Sequence, residues 1–248
     1  MINIRSREEI ALMRESGRLV ALSHQVAREL LTPGRKTEVI DREVETFIRD
    51  HEARPAFKGY QGFPASVCLS LNNEVVHGIP GKRVLKEGDV VSLDIGVEKA
   101  GYFGDSAWSY IVGEDRQDAR ELLETTEESL MQGIAKAVPG NRLFDISHAV
   151  QTWVEARGFS VVREMVGHGI GTQMHEEPQI PNYGPPGKGP LLKVGMVFAV
   201  EPMVNQGSHE IVTLRDGWTA VTRDGSLSAH FEHTIAITEE EPELLTVP

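Results

Sequence analysis

The chain writes one strand twice. LKEGDVVSLD fills residues 85–94 and LKVGMVFAVE fills residues 192–201, an offset of 107. Each copy carries Leu-Lys-x-Gly, then a strand-forming run, then a terminal acid, Asp94 or Glu201. A duplicated unit narrows the possible folds sharply, because two copies of one supersecondary unit bury their apolar faces by packing on each other.

The helices upstream repeat as well. Ser6-x-x-Glu9 predicts a capping box, and Ile10, Met13, Gly17, Val20, His24 and Ala27 follow at helical spacing up to Pro33-Gly34. A second helix is expected from about Thr37, with Ile40, Val44, Phe47 and Ile48 on one face. Shifted by 106 residues, these positions fall on Pro139-Gly140 and on Ile146, Val150, Trp153 and Val154. Strand-like runs come after each helix pair, at 67–71, 90–97 and 107–112, then at 161–166, 196–200, 210–214, 219–222 and 234–238. Helices then strands, written twice, predict an α+β chain with a central antiparallel sheet and helices on one side. The stretch 113–118 is too short and charged for a linker, so residues 1–248 read as one domain of two pseudo-symmetric halves, about 1–113 and 114–248. The Pro- and Gly-rich stretch 181–190 is expected to be a loop.

Bulk properties exclude several classes. No stretch approaches a membrane span, and the first ten residues lack the apolar core of a signal peptide. With Cys68 as the only cysteine, no internal disulfide can form, which fits a reducing cytoplasm. The formal net charge of −12 argues against nucleic-acid recognition through a basic surface.

The acids carry the chemistry. In a strand, residues two apart share a face, so Asp94 lies with Ser92 and Glu201 with Ala199, both small enough to leave room for a ligand. A single strand-end acid usually turns to solvent; two matching copies favour function. Each half adds a later acid just before a strand-like run, Asp105 in GDSAWSYIV and Glu232 in FEHTIAIT. Asp94 and Asp105 suit two strands of a hairpin turning through Lys99-Ala100-Gly101. Each half also has a histidine in a Gly-rich turn, His77 in HGIP and His168 in GHGIG, with His175 seven residues beyond. The registers differ: His77 precedes Asp94 by 17 residues, whereas His168 precedes Glu201 by 33. Glu232 is flanked by His230 and His233, and simple exposure is an open reading for any of the three. Packing the repeats about a twofold axis brings Asp94, Asp105, Glu201 and Glu232 to the seam. Four buried carboxylates need protons or cations, and two divalent ions balance their charge. An oxygen-rich set with one imidazole suits Mn, Fe, Co or Zn, and the expected chemistry is metal-assisted hydrolysis.

At these residues the chain resembles the type I methionine aminopeptidases, over roughly residues 5–245. The motifs are SVCLSLNNEVVHGIP, VSLDIGVEKAGYFGDSAWSYIVG, GHGIGTQMHEEP, VFAVEPM and HFEHTIAIT. The resemblance implies the pseudo-twofold pita-bread fold and removal of N-terminal methionine from peptides and nascent proteins at a dinuclear centre. It implies metal ligands Asp94, Asp105, His168, Glu201 and Glu232, with Asp105 and Glu232 bridging. Asp94 is then expected to chelate one ion, and His168 and Glu201 to bind the other, with Glu201 also shuttling a proton. His77 and His175 are expected to contact substrate and stabilise the tetrahedral intermediate. The methionine pocket is expected at Tyr60, Phe63, Cys68, Met174 and Trp218. Met174 and Phe63 depart from residues common in relatives, an aromatic and a tyrosine. A cytoplasmic monomer meeting new chains near the ribosome completes the implied picture.

Two rivals share the fold. Proline-specific aminopeptidases and dipeptidases usually carry an extra N-terminal domain and differ around the last glutamate, whereas HFEHT resembles the methionine type. Non-catalytic binding relatives have lost ligands, and here all five positions hold ligating residues. The 31 residues between Glu201 and Glu232 leave no room for the helical insert of type II enzymes.

Overall fold

The computed structural model describes residues 2–114 and 116–248. The first half runs α1 (Arg7–Leu30), α2 (Thr37–Asp50), β1 (Arg54–Pro55), β2 (Cys68–Leu71), β3 (Glu74–Val76), β4 (Val90–Lys99) and β5 (Tyr102–Ile111). The second runs α3 (Gln117–Ile134), α4 (Leu143–Glu155), β6 (Ser160–Val161), β7 (Gly167–Gly169), β8 (Glu176–Ile180) and β9 (Val197–Val200). It continues through β10 (Met203–Asn205), β11 (Ile211–Thr213), β12 (Ala220–Thr222), β13 (Ser228–His230), β14 (His233–Ala236) and β15 (Glu243–Leu244). All strand pairings among the described residues are antiparallel, as the expected α+β class requires, and their hydrogen bonds run in four ladders.

The helices form where the apolar spacing places them. The Ser6 hydroxyl accepts from the Glu9 amide at 3.2 Å, and the Glu9 carboxylate accepts from the Ser6 amide at 2.8 Å, closing the capping box. The inner face of α1 buries Met13, Gly17, Val20, His24 and Ala27 against β4 and β5. Ile40, Val44 and Ile48 of α2, and Ile146, Val150 and Val154 of α4, are buried in separate cores, one per half. Phe47 is only half-buried at the edge of the first core, and Trp153 is half-buried too. Burying a side chain such as Leu93 or Phe198 completely contributes about 1.5–3 kcal/mol.

Pairing registers match between the halves. Gly96 lies opposite Asp105 and Val97 opposite Gly104; at the 107-residue offset, Met203 lies opposite His230 and Val204 opposite Ala229. Val97 also pairs Pro55 of β1, as Val204 pairs Val161 of β6. The long hairpin β4–β5 therefore corresponds to β9 and β10 paired with β14 and β13. In the first half the ladder is continuous, closed by the two-residue turn Ala100-Gly101 with φ of 52° and 82°, the positive values that a tight hairpin turn needs. In the second half it breaks at Glu201-Pro202 and Phe231-Glu232.

β5 and β14 meet across the seam. The Glu232 amide donates to the Ala107 carbonyl at 2.8 Å, and the Asp105 amide to the Thr234 hydroxyl at 3.0 Å. The Ser106 hydroxyl donates to the Glu232 carbonyl at 2.7 Å, and that of Ser109 to the His230 carbonyl at 2.9 Å. These bonds hold the backbones of the later acids together from opposite halves.

Candidate metal centre

Each carboxylate is set by its strand. Asp94 lies mid-β4 between Cys68 on β2 and Ala107 on β5. Asp105 faces Gly96, so it stands diagonal to Asp94 on the same face. It lies within β5, not before the strand as the local sequence suggests, because the ladder with β4 extends the pairing to Tyr102. Glu201 and Glu232 occupy the break in the second hairpin, just past β9 and just before β14. His168 belongs to a strand and not to a Gly-rich turn: β7 pairs with β9 on one side and β8 on the other, placing His168 opposite Ala199. Ala199 is the repeat counterpart of Ser92, which faces Ser70, so His168 corresponds to Ser70 and not to His77. The unequal histidine spacings follow from this.

All five side chains line one cavity of about 310 Å³. Asp105, His168 and Glu232 are buried and offer ligand atoms within 4.8 Å of one another. His168 Nε2 lies 3.5 Å from Glu201 Oε1 and 3.8 Å from Asp105 Oδ2. Its Nδ1 meets the Gly169 carbonyl at 2.9 Å; with the proton on Nδ1, the Nε2 lone pair faces the acids. Burial, followed by the charge of His175, pushes the His168 pKa down to about 3, so this imidazole is neutral at pH 7.

The acids are under the opposite pressure. Burial pushes Asp94 up to about 7, opposed by His230 and reinforced by the Glu201 charge. Burial raises Asp105, Glu201 and Glu232 far above the usual carboxylate range, with neighbouring acids adding to it at Asp105 and Glu232. Asp94 Oδ1, Asp105 Oδ1 and Glu232 Oε1 are buried with no hydrogen-bond partner among the described residues. Unpartnered oxygens converging beside a neutral imidazole fit divalent cations, whose charge offsets the cost of burying ionised carboxylates.

Around the acids stand the other expected residues. His77 follows β3 with φ of 60° and lines the cavity; burial, then the charges of His230 and His175, pushes its pKa down to about 4. The His175 Nδ1 lies 2.8 Å from the Tyr60 hydroxyl, and its ring is 4.2 Å from that of His168. Burial lowers the His175 pKa too. Tyr60, Phe63, Cys68 and Trp218 line the apolar end, with Phe63 edge-on to Trp218 at 5.1 Å. Met174 is not among the residues lining the cavity; it is buried in the cluster that also holds Phe63, Cys68 and Ile170.

His230 is a site residue that local reading missed. It is buried, not exposed, and its Nε2 lies 3.6 Å from Glu201 Oε2. The period of two from Glu232 and the register match to Asp105 could have found it. His233 is also buried, but its Nδ1 meets the Thr246 hydroxyl at 2.7 Å, away from the cavity. The expected strand at 161–166 ends at Val161, because the chain then leaves the sheet and Glu164, Met165 and Val166 become cavity wall.

The family model "Metallopeptidase family M24" matches residues 11–239. This chain belongs to metallopeptidase family M24. It is 57% identical to "Methionine aminopeptidase 1" of Bacillus subtilis over 99% of both chains. It superposes on the crystal structure of methionine aminopeptidase from Thermotoga maritima with a TM-score of 0.98, at 47% identity over 100% of both chains. The prolidase of Pyrococcus horikoshii shares the fold alone, with a TM-score of 0.80 at 22% identity over 98% of this chain and 63% of that one. The chain is a type I methionine aminopeptidase relative with the α+β pita-bread fold, a metal-dependent hydrolase. No described helix is long and apolar enough to cross a membrane.

Proposed function

We propose that the chain removes the N-terminal methionine of peptides and nascent proteins, and that two divalent ions serve the reaction. The observation carrying this is the seam itself, where unpartnered buried oxygens from both halves meet the neutral His168. In this reading Asp94, Asp105, His168, Glu201 and Glu232 would hold the ions. Mn, Fe, Co or Zn suits such a donor set. When bound, the ions polarise the scissile carbonyl and lower the pKa of the attacking water.

The chain's own groups do the rest. Glu201 accepts the proton released on attack and returns it to the leaving amine. The rings of His77 and His175 steady the negative charge that develops on the carbonyl oxygen. Tyr60, Phe63, Cys68 and Trp218 receive the methionine side chain, whose sulfur packs favourably on aromatic rings; Met174 packs in the same cluster. Residues 1–248 act as one catalytic domain whose halves, about 1–113 and 114–248, each supply part of the centre. The proposal includes a cytoplasmic monomer meeting new chains near the ribosome.

Hydrolysis of Met-Ala-Ser, with Ala-Pro and Leu-initiated peptides as controls, tests the assignment. Methionine release that stops on chelation and returns with a divalent metal is expected. Preferred cleavage of Ala-Pro would replace the methionine reading with the proline-specific one.

A further inference from the structure

We propose that Arg5, acting through Glu176, is a positioning residue for His175. This rests on the reading of His175 as a group that stabilises the developing oxyanion.

His175 sits at the end of the turn 170–175, between β7 and β8. That turn is a thin wall. His168 and His175 line both the inner cavity and an outer opening of about 480 Å³, bordered by Asn3, Thr172, Gln173 and Glu176. Ile170 and Met174 pack the turn into a core cluster, and the exposed stretch between them, Thr172 and Gln173, is held by directed bonds.

Those bonds converge on the residue after His175. Glu176 Oε1 accepts from the Thr172 amide at 2.9 Å, the Gln173 amide at 3.2 Å and the Thr172 hydroxyl at 3.4 Å. The carboxylate thus ties the end of the turn back to its start. Arg5 grips the same carboxylate from outside, with Nη2 at 2.5 Å from both oxygens, and Asn3 Nδ2 donates to Oε2 at 2.7 Å. Both partners are buried, with side-chain exposures of 8% and 7%.

Arg5 is itself anchored. Its amide donates to the Gly195 carbonyl at 2.7 Å, and its Nη1 lies 3.4 Å from Glu9 at the start of α1. Gly171 makes the space: a Cβ there would fall 2.1 Å from Arg5 Nη2. The chain thus runs a charged brace from the head of α1 to the wall carrying His175.

A buried ion pair adds little net stability against an apolar replacement of similar size, so its geometric role is what a variant should expose. The test is a double-mutant cycle on Met-Ala-Ser hydrolysis by the metal-loaded enzyme. Arg5→Met with Glu176→Gln removes the grip without leaving a buried charge unpaired. The expected result is a kcat lower by about 10–100-fold, with KM within about twofold, as when other groups that orient an active-site residue are lost. In a His175→Ala background the same two changes should cost less than about twofold, since nothing remains to be positioned. Arg5→Lys, which keeps the charge but has one nitrogen where Arg5 uses two to reach Glu9 and Glu176, should fall between. Unchanged kcat, or an equal loss in the His175→Ala background, overturns the proposal. If the paired variant does not fold, Arg5→Lys and Glu176→Gln are carried singly through the same cycle, and additivity with His175→Ala again overturns it. The wild-type enzyme separates the two readings: if it releases no methionine, the assigned function has failed and not the brace.

Discussion

The hairpin β4–β5 and its second-half counterpart have the same register and opposite continuity. The first is an unbroken ladder of ten paired positions, rigid enough to aim two short acids, Asp94 and Asp105, from its interior. The second is interrupted at Glu201-Pro202 and Phe231-Glu232, where Pro202 has no amide to donate. The longer acids occupy that interruption. A continuous ladder presents side chains at fixed spacing; a break frees two carboxylates to approach the seam from further away. One unit, written twice, thus supplies acids of different reach to a common cavity.

The largest expected effect tests whether the equivalent acids are unequal. Glu201→Gln should lower kcat by about 10²–10⁴-fold through loss of proton transfer, beyond any effect on metal content. Asp94→Asn should act mainly by weakening metal binding and respond to added metal; equal behaviour of the two would erase the distinction. Leu93→Ala, beside Asp94, should cost about 2–5 kcal/mol, and Val200→Ala, beside Glu201, somewhat less because fewer methylenes are lost. Denaturant titration should show both shifting one shared transition; two separate transitions would mean that the halves unfold independently.

The helices differ as well. His24 of α1 bonds the Ser106 carbonyl at the seam at 2.9 Å, whereas its counterpart at the 106-residue offset is the apolar Leu130. Burial first, with some help from the His233 charge, pushes the His24 pKa down to about 4, against the bond to Ser106. The unfolded chain therefore binds this proton more readily. The stability involved is fully present above about pH 6.5 and is lost as pH falls through about 4, up to about 3 kcal/mol. His24→Leu should flatten the acid limb of a stability–pH profile by a comparable amount; an unchanged slope would remove His24 from it. The smallest effect concerns the caps. Ser6→Ala should cost about 1 kcal/mol, while Arg116→Ala, at an α3 start without a side-chain cap, should stay within about 0.5 kcal/mol.

Much of this was legible in sequence because it is periodic. The helices and the β4–β5 hairpin announce themselves through spacing, and the paired terminal acids through repetition. The three-residue β7 does not. Gly-His-Gly has no strand signal of its own and is extended because β8 and β9 pair with it on both sides, a tertiary effect that outweighs local preference. Asp105 lies inside β5 for the same reason, since pairing with β4 extends the strand beyond the run its own residues announce. His230 sits beside other polar residues, and only the register with β10 turns it inward. Met174 belongs to the expected cluster, although it is not among the residues that line the cavity.

The seam is tested most directly by counting metal ions per chain in the wild-type protein and in Asp105→Ala and Glu232→Ala, with methionine release measured on the same samples. Two ions in the wild type, with both variants losing metal and activity together, is the expected result. Full metal content and near-normal activity in either variant would contradict a centre shared between the halves.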